Sequence, residues 1–196
     1  MKEANIPMAS RNLASTTETI EKNPALRRKM NRFGMSVFIL SQLVPLVVLI
    51  DMRYLFVGTY VSSRESQPIA LIAAVLMLAS LFVTWSVKTR AAHKENRTPA
   101  LKWALLLGVA ALLVTFYQWS LRTSPTTGRF GEVYYTMTGF AVFYAIVGIV
   151  GLLSALSRAR YVDSASDDHW HVEAVSFLWS GIAVIWVVTY IVLFWV

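Results

Sequence analysis

The side chains that could do chemistry are few, and most of them crowd into one short run. Asp167, Asp168, His169, Trp170 and His171 follow one another directly, and Glu173 comes two positions later. Carboxylates and imidazoles are metal-ligand types. Ligands this close in sequence rarely complete one coordination sphere without a distant partner, so a solvated loop is the expected role and no metal site is assigned. Haem inside a membrane needs an axial ligand within a span, but the 3 histidines, His93, His169 and His171, lie in loops or at a span edge. Cysteine is absent, which excludes disulfides, thiolate nucleophiles, iron–sulfur ligation, cysteine-bound copper and covalent c-type haem. No phosphate loop, hydrolase triad or zinc-protease helix occurs. Asp51 and Arg53 lie two residues apart on different helix faces, where they make a poor mutual pair. Near an interface both are expected to snorkel to water. An ion path would need polar groups stacked across the membrane, and the apolar segments offer only Gln42, Gln118 and scattered Ser and Thr. The chain is therefore expected to hold no catalytic, cofactor-binding or metal-binding residue of its own.

The elements that carry these residues are long apolar segments. Of 196 residues, 56% are hydrophobic and 15% charged, where a soluble domain carries about 25% charged. The charges fall in short loops between the apolar stretches, a pattern that suits lipid as the solvent. The expected fold is all-α: a polytopic membrane protein, a bundle of five transmembrane helices. Residues 1–32 read as a polar tail, with Pro7, Pro24 and a closing basic cluster of Arg27, Arg28, Lys29 and Arg32 at the membrane surface. Residues 33–196 form the transmembrane domain, with spans at about 33–58, 68–87, 101–119, 133–156 and 172–196, each long enough for a hydrocarbon core of about 30 Å. The first 33 residues contain no apolar run like a signal-peptide core, so the first span is expected to direct insertion itself. Pro68 and Pro99 fall where helices start and Pro125 in a loop. Pro45 lies inside a span and cannot donate to the Ser41 carbonyl, so a tolerated kink is expected there.

Orientation follows from the basic residues. Of 18 Lys and Arg, all but Arg53, Arg64, Arg122 and Arg129 fall in the tail, the loop between spans two and three, or the loop between spans four and five. This predicts a cytoplasmic N-terminus and an outside C-terminus. Trp85, Trp103 and Trp170 should mark the inner interface, and Tyr60, Trp119, Tyr134 and Trp195 the outer one. The net charge of +7 is explained by these orientation signals, and no nucleic-acid partner is expected. Glu173, at the mouth of span five, is costly there unless it meets a cation or a lipid headgroup.

Small residues identify packing faces. Span three carries Ala104, Gly108, Ala111 and Thr115; span four carries Ala141, Ala145, Gly148 and Ala155, with Gly151 close to the same stripe. Such stripes let helix backbones approach closely, so spans three and four are expected to form the tight seam of the bundle.

The later spans also carry a run of motifs. Span four reads Thr138, Gly139, Phe140, Ala141, Val142, Phe143, Tyr144, then Gly148, and span five reads Glu173, then Leu178, Trp179, Ser180, Gly181, Ile182, Ala183 and Trp186. Span three closes on Tyr117, Gln118, Trp119, and span one holds Ser41, Gln42. Over about residues 27–196 this order resembles subunit III of the haem-copper terminal oxidases, in the five-helix form of bacterial quinol oxidases and actinobacterial cytochrome c oxidases. That family carries Thr-Gly-Phe-His-Gly-x-His in the fourth span, Tyr-Trp-His-Phe-Val-Asp-x-x-Trp in the fifth, a Glu in the motif closing the third, and Ser-Glu in the first. Here both carboxylates read as Gln42 and Gln118, the fourth-span histidines as Ala141 and Tyr144, and the fifth-span His and Asp as Ser180 and Ala183. Each change removes an ionisable group from the membrane interior, where it is expensive.

The resemblance implies a non-catalytic component of a respiratory oxidase in the bacterial inner (plasma) membrane. It would brace catalytic subunit I among the other oxidase subunits, with haem and copper in those partners and phospholipids bound to this chain. Gln42, Gln118, Gly139, Gly148, Glu173, Trp179 and Trp186 would be its lipid or subunit contacts. The other readings are an accessory subunit of a nitric-oxide-reducing complex, a membrane assembly or structural protein and, lowest, a small transporter.

Overall fold

The computed structural model describes residues 24–58, 67–92, 98–121, 128–161 and 170–195, and there the chain is helical, without strands. The helices are α1 (Pro24–Val57), α2 (Gln67–Ala92), α3 (Thr98–Ser120), α4 (Arg129–Tyr161) and α5 (Trp170–Phe194). All five are long and apolar enough to cross a membrane. In lipid a chain must satisfy its own backbone N–H and C=O groups, and the helix does so within one segment.

Proline and glycine set several ends. Pro24, Pro68 and Pro99 sit in first turns, where no intrahelical N–H bond is lost. Gly58 takes φ 65 and donates its N–H to the Tyr54 carbonyl at 3.0 Å, a left-handed cap that glycine adopts without strain. Pro45 is accommodated without ending α1. The helices overrun the apolar stretches. α1 in particular begins at Pro24, inside the segment expected to be tail, because Leu, Arg, Lys and Met sustain a helix without needing lipid. Residues 1–23 lie outside the described residues.

α5 is the hub. It packs against α1, α2 and α4, while α2 packs on α3 and α3 on α4. Of the most apolar window of α5, 56% is buried, against 6% for α1. Helices α2 to α5 thus close a four-membered bundle, and α1 stands outside it against α4 and α5. The most extensive contact is α2 on α3, so the seam expected between spans three and four is not the dominant one. Their small residues do face inward, Ala104 and Ala145 being fully buried, but the space they leave is filled largely by α5. At the C-terminal end of α5, Tyr134 is buried, with its ring edge-on to Tyr135 at 5.2 Å and to Phe194 at 6.2 Å. It is a core aromatic.

α1 is fastened at three levels. Arg32 Nη2 lies 2.5 Å from Glu173 Oε1. A Cβ at Gly181 would lie 2.8 Å from Ile39 Cγ2, so α1 seats directly on the α5 backbone. The Tyr144 hydroxyl donates to Gln42 Oε1. Gly181→Leu is expected to push α1 outward at a cost of about 1–3 kcal/mol, read as a lower midpoint of unfolding for the detergent-purified chain. An unchanged midpoint would show that this seam carries no weight.

Candidate functional site

Ser80, Gly108 and Gly148, from three helices, converge on Trp179. Its indole is fully buried, and its Nε1 donates to Ser80 Oγ on α2 at 2.9 Å. Ser80 in turn donates to the Ala104 carbonyl on α3 at 2.8 Å. One hydroxyl therefore links α5, α2 and α3. The ring needs two notches. A Cβ at Gly108 on α3 would lie 2.7 Å from Trp179 Cη2, and one at Gly148 on α4 would lie 2.6 Å from Trp179 Cε3 and 2.5 Å from Ile182 Cδ1. Real Cβ atoms do not approach so closely, so both positions are closed to any side chain while the ring stays in place. Gly151, by contrast, has only ordinary contacts with Val175 and Leu178.

The residues singled out from sequence separate into two groups. Gln118, Gly148, Trp179 and Trp186 are buried and contact the chain's own helices. Glycine and an indole are used here to close the bundle, and an amide at the position of Gln118 is enclosed by α2, α4 and α5. Gln42 and Glu173 are partly buried and tie down α1 as described. Glu173 thus finds the cation its depth requires. Gly139 has open space, with nothing within 4 Å of an added Cβ. Ser80 was missed. Its only signal was a hydroxyl in the middle of an otherwise apolar span.

Arg53 departs from expectation. It is fully buried, donating from Nη1 to the Gly58 carbonyl at 2.7 Å and lying 4.9 Å from the Tyr54 ring centroid. The turn at Gly58 brings a backbone acceptor within reach, so a protein carbonyl and a ring face serve in place of water. Asp51 is exposed, as expected. Most of the Asp167–His171 run, and His93, lie outside the described residues. Among the described residues no three His, Cys, Asp or Glu side chains converge as metal ligands.

A groove of about 310 Å³ opens between α1 and the start of α4. Leu49, Met52 and Phe56 form its apolar wall, and Arg129, Glu132 and Val133 face them. On α5, the apolar side chains most exposed within the span are Val184 and Ile191, at 48% and 43%. They lie seven residues apart, two turns along one face. α5 contacts both α1 and α2, which do not contact each other, so this strip floors a notch between them.

A profile of the family "Cytochrome c oxidase subunit III" matches residues 35–196. The chain is 27% identical over 141 residues to cytochrome c oxidase subunit 3 of Loxodonta africana, covering 71% of this chain and 54% of that protein. It is 27% identical over 162 residues to that of Branchiostoma lanceolatum, covering 81% and 60%. For Petromyzon marinus the identity is 28% over 126 residues, covering 62% and 48%. The chain spans about half the length of the curated relatives it matches.

Two outcomes follow from the Trp179 geometry. In a double-mutant cycle of Ser80→Ala and Trp179→Phe, unfolding free energies are expected to couple by about 0.6–1.7 kcal/mol, the range of interhelical hydrogen bonds in membranes; additive losses would mean the bond contributes nothing. Gly148→Leu is expected to abolish accumulation of the folded chain, whereas Gln42→Glu, which still accepts from Tyr144, is far milder. Equal membrane yields of Gly148→Leu and the unaltered chain would refute this.

Proposed function

The chain belongs to the cytochrome c oxidase subunit III family, and from that premise we propose that it is a non-catalytic subunit of a respiratory haem-copper terminal oxidase, bracing the catalytic subunit and holding lipids. The observation that carries the bracing role is the bareness of α1: only 6% of its apolar window is buried, although three tethers hold it to α4 and α5. A helix held rigidly yet left uncovered is a surface for a neighbour. With α2 it frames the notch floored by Val184 and Ile191, which gives the early spans a concave site for helices of the catalytic subunit. Haem and copper belong to the partners in this reading, and electron transfer and oxygen reduction take place there.

The groove between α1 and α4 suits a phospholipid. Leu49, Met52 and Phe56 offer an acyl chain a dry wall, and Arg129 offers a phosphate a guanidinium, which binds it in a fixed fork. The distribution of Lys and Arg supports a cytoplasmic N-terminus; with that orientation the groove would lie in the outer leaflet and the Arg32–Glu173 pair at the inner surface.

A tagged chain extracted in mild detergent is expected to co-purify with a haem- and copper-bearing partner in equimolar amounts. Migration alone, or with a transient chaperone, would overturn the oxidase assignment. Val184→Arg should release that partner while leaving the chain in the membrane. For the lipid, native mass spectrometry of the purified complex should show loss of one bound phospholipid in Arg129→Ala; full retention would remove the groove from the proposal.

A further inference from the structure

Nearer the C-terminal end of α5, about ten residues and hence roughly 15 Å beyond Trp179, the bundle encloses a second polar place. A cavity of about 30 Å³ lies between four helices, with Ala70 and Ala73 of α2 leaving the room and Thr115, Gln118, Thr138 and Thr189 among the side chains that line it. Thr115 and Thr138 have given their protons to their own helices, to the Ala111 carbonyl at 3.0 Å and the Tyr134 carbonyl at 2.7 Å. Their oxygens keep lone pairs free to accept. Thr189 differs. It is 4% exposed, and its Oγ1 has no hydrogen-bond partner among the described residues, whereas Ser176 and Ser180 on the same helix each bond the carbonyl one turn back. A buried hydroxyl without a partner is costly.

We propose that this cavity is a built hydration site holding one ordered water, or two at most, which bonds Thr189 Oγ1 and the acceptor oxygens of Thr115 and Thr138. The volume fits, since one buried water needs about 10–15 Å³ of such space and two to four polar partners. The lining selects water over an apolar guest such as xenon, because three hydroxyls and an amide would face a molecule that cannot bond them. The bundle interior then has two polar knots, one closed by Ser80 and one by solvent, and the second joins α3, α4 and α5. It stands on this chain's own side chains and is independent of the oxidase assignment.

The isosteric variant Thr189→Val tests it by sign. If water bridges the hydroxyl, its removal strands that water, and the unfolding midpoint of the purified full-length chain falls by about 2–4 °C. If the hydroxyl is truly unpaired, valine removes the penalty and the midpoint stays or rises, which overturns the proposal. Independently, an experimental structure that resolves ordered solvent should show a peak within hydrogen-bonding distance of Thr189 Oγ1 and of Thr115, Thr138 or Gln118. An empty cavity, or xenon uptake there under pressure, counts against it.

Discussion

The bundle depends on the seating of one indole. In lipid there is no hydrophobic force to drive helices together, since the tails are as apolar as leucine, so association rests on close packing and interhelical hydrogen bonds. Trp179 supplies both. Its faces and edges fill the notches at Gly108 and Gly148, and its N–H enters a chain through Ser80 to the Ala104 carbonyl. The chain works because a hydroxyl can accept and donate at once. An amide or a thiol at that position would not thread the same space. Because the ring reaches from α5 across to α3 and α4, the four-helix core has one arrangement in which it fits, and the large α2 on α3 contact is formed around it.

α1 is built on a different principle. It has no glycine notch of its own to receive a neighbour; instead Gly181 on α5 receives Ile39, and two polar tethers flank that contact. The Arg32–Glu173 pair is lopsided, with Glu173 12% exposed and Arg32 52%, so solvent screening leaves it worth little more than a surface pair. Its value is in spending a carboxylate that would otherwise sit unpaired at the span mouth. All three tethers lie before Pro45, and the groove begins at Leu49. Beyond Pro45 the helix stays seated through Leu46, Leu49, Ile50 and Val57, so the groove is a gap beside a packed helix.

Much of this was legible in the sequence, for a physical reason. A run of apolar residues in a membrane protein has one solution, the helix, so five runs meant five helices. Helix ends were less legible, because α1 continues through Arg27 to Arg32, where backbone bonding no longer needs lipid. The small-residue stripes correctly marked inward faces, but a stripe says where bulk is missing and not which helix supplies it; Trp179 filled the gap from α5. Gln118 was readable as polar and central, yet not as enclosed. Arg53 was misread because its acceptor, the Gly58 carbonyl, becomes available only once the chain turns there with φ 65.

Two of the departures from the motifs that the chain resembles meet in space once the contacts are known. Gln42 stands where the resemblance has a carboxylate in the first span, and Tyr144 stands at the second histidine of the fourth. In this chain the two are bonded to each other, hydroxyl to amide oxygen. A carboxylate beside an imidazole at that depth would be a charged or proton-sharing pair taken out of water, with a desolvation cost that only good geometry offsets. Changing one partner alone would strand the other. A glutamine and a tyrosine instead make a neutral bond, which tethers α1 to α4. Two positions that depart from the motifs the chain resembles, and that look independent along the sequence, thus meet at one contact, which fastens α1 to α4.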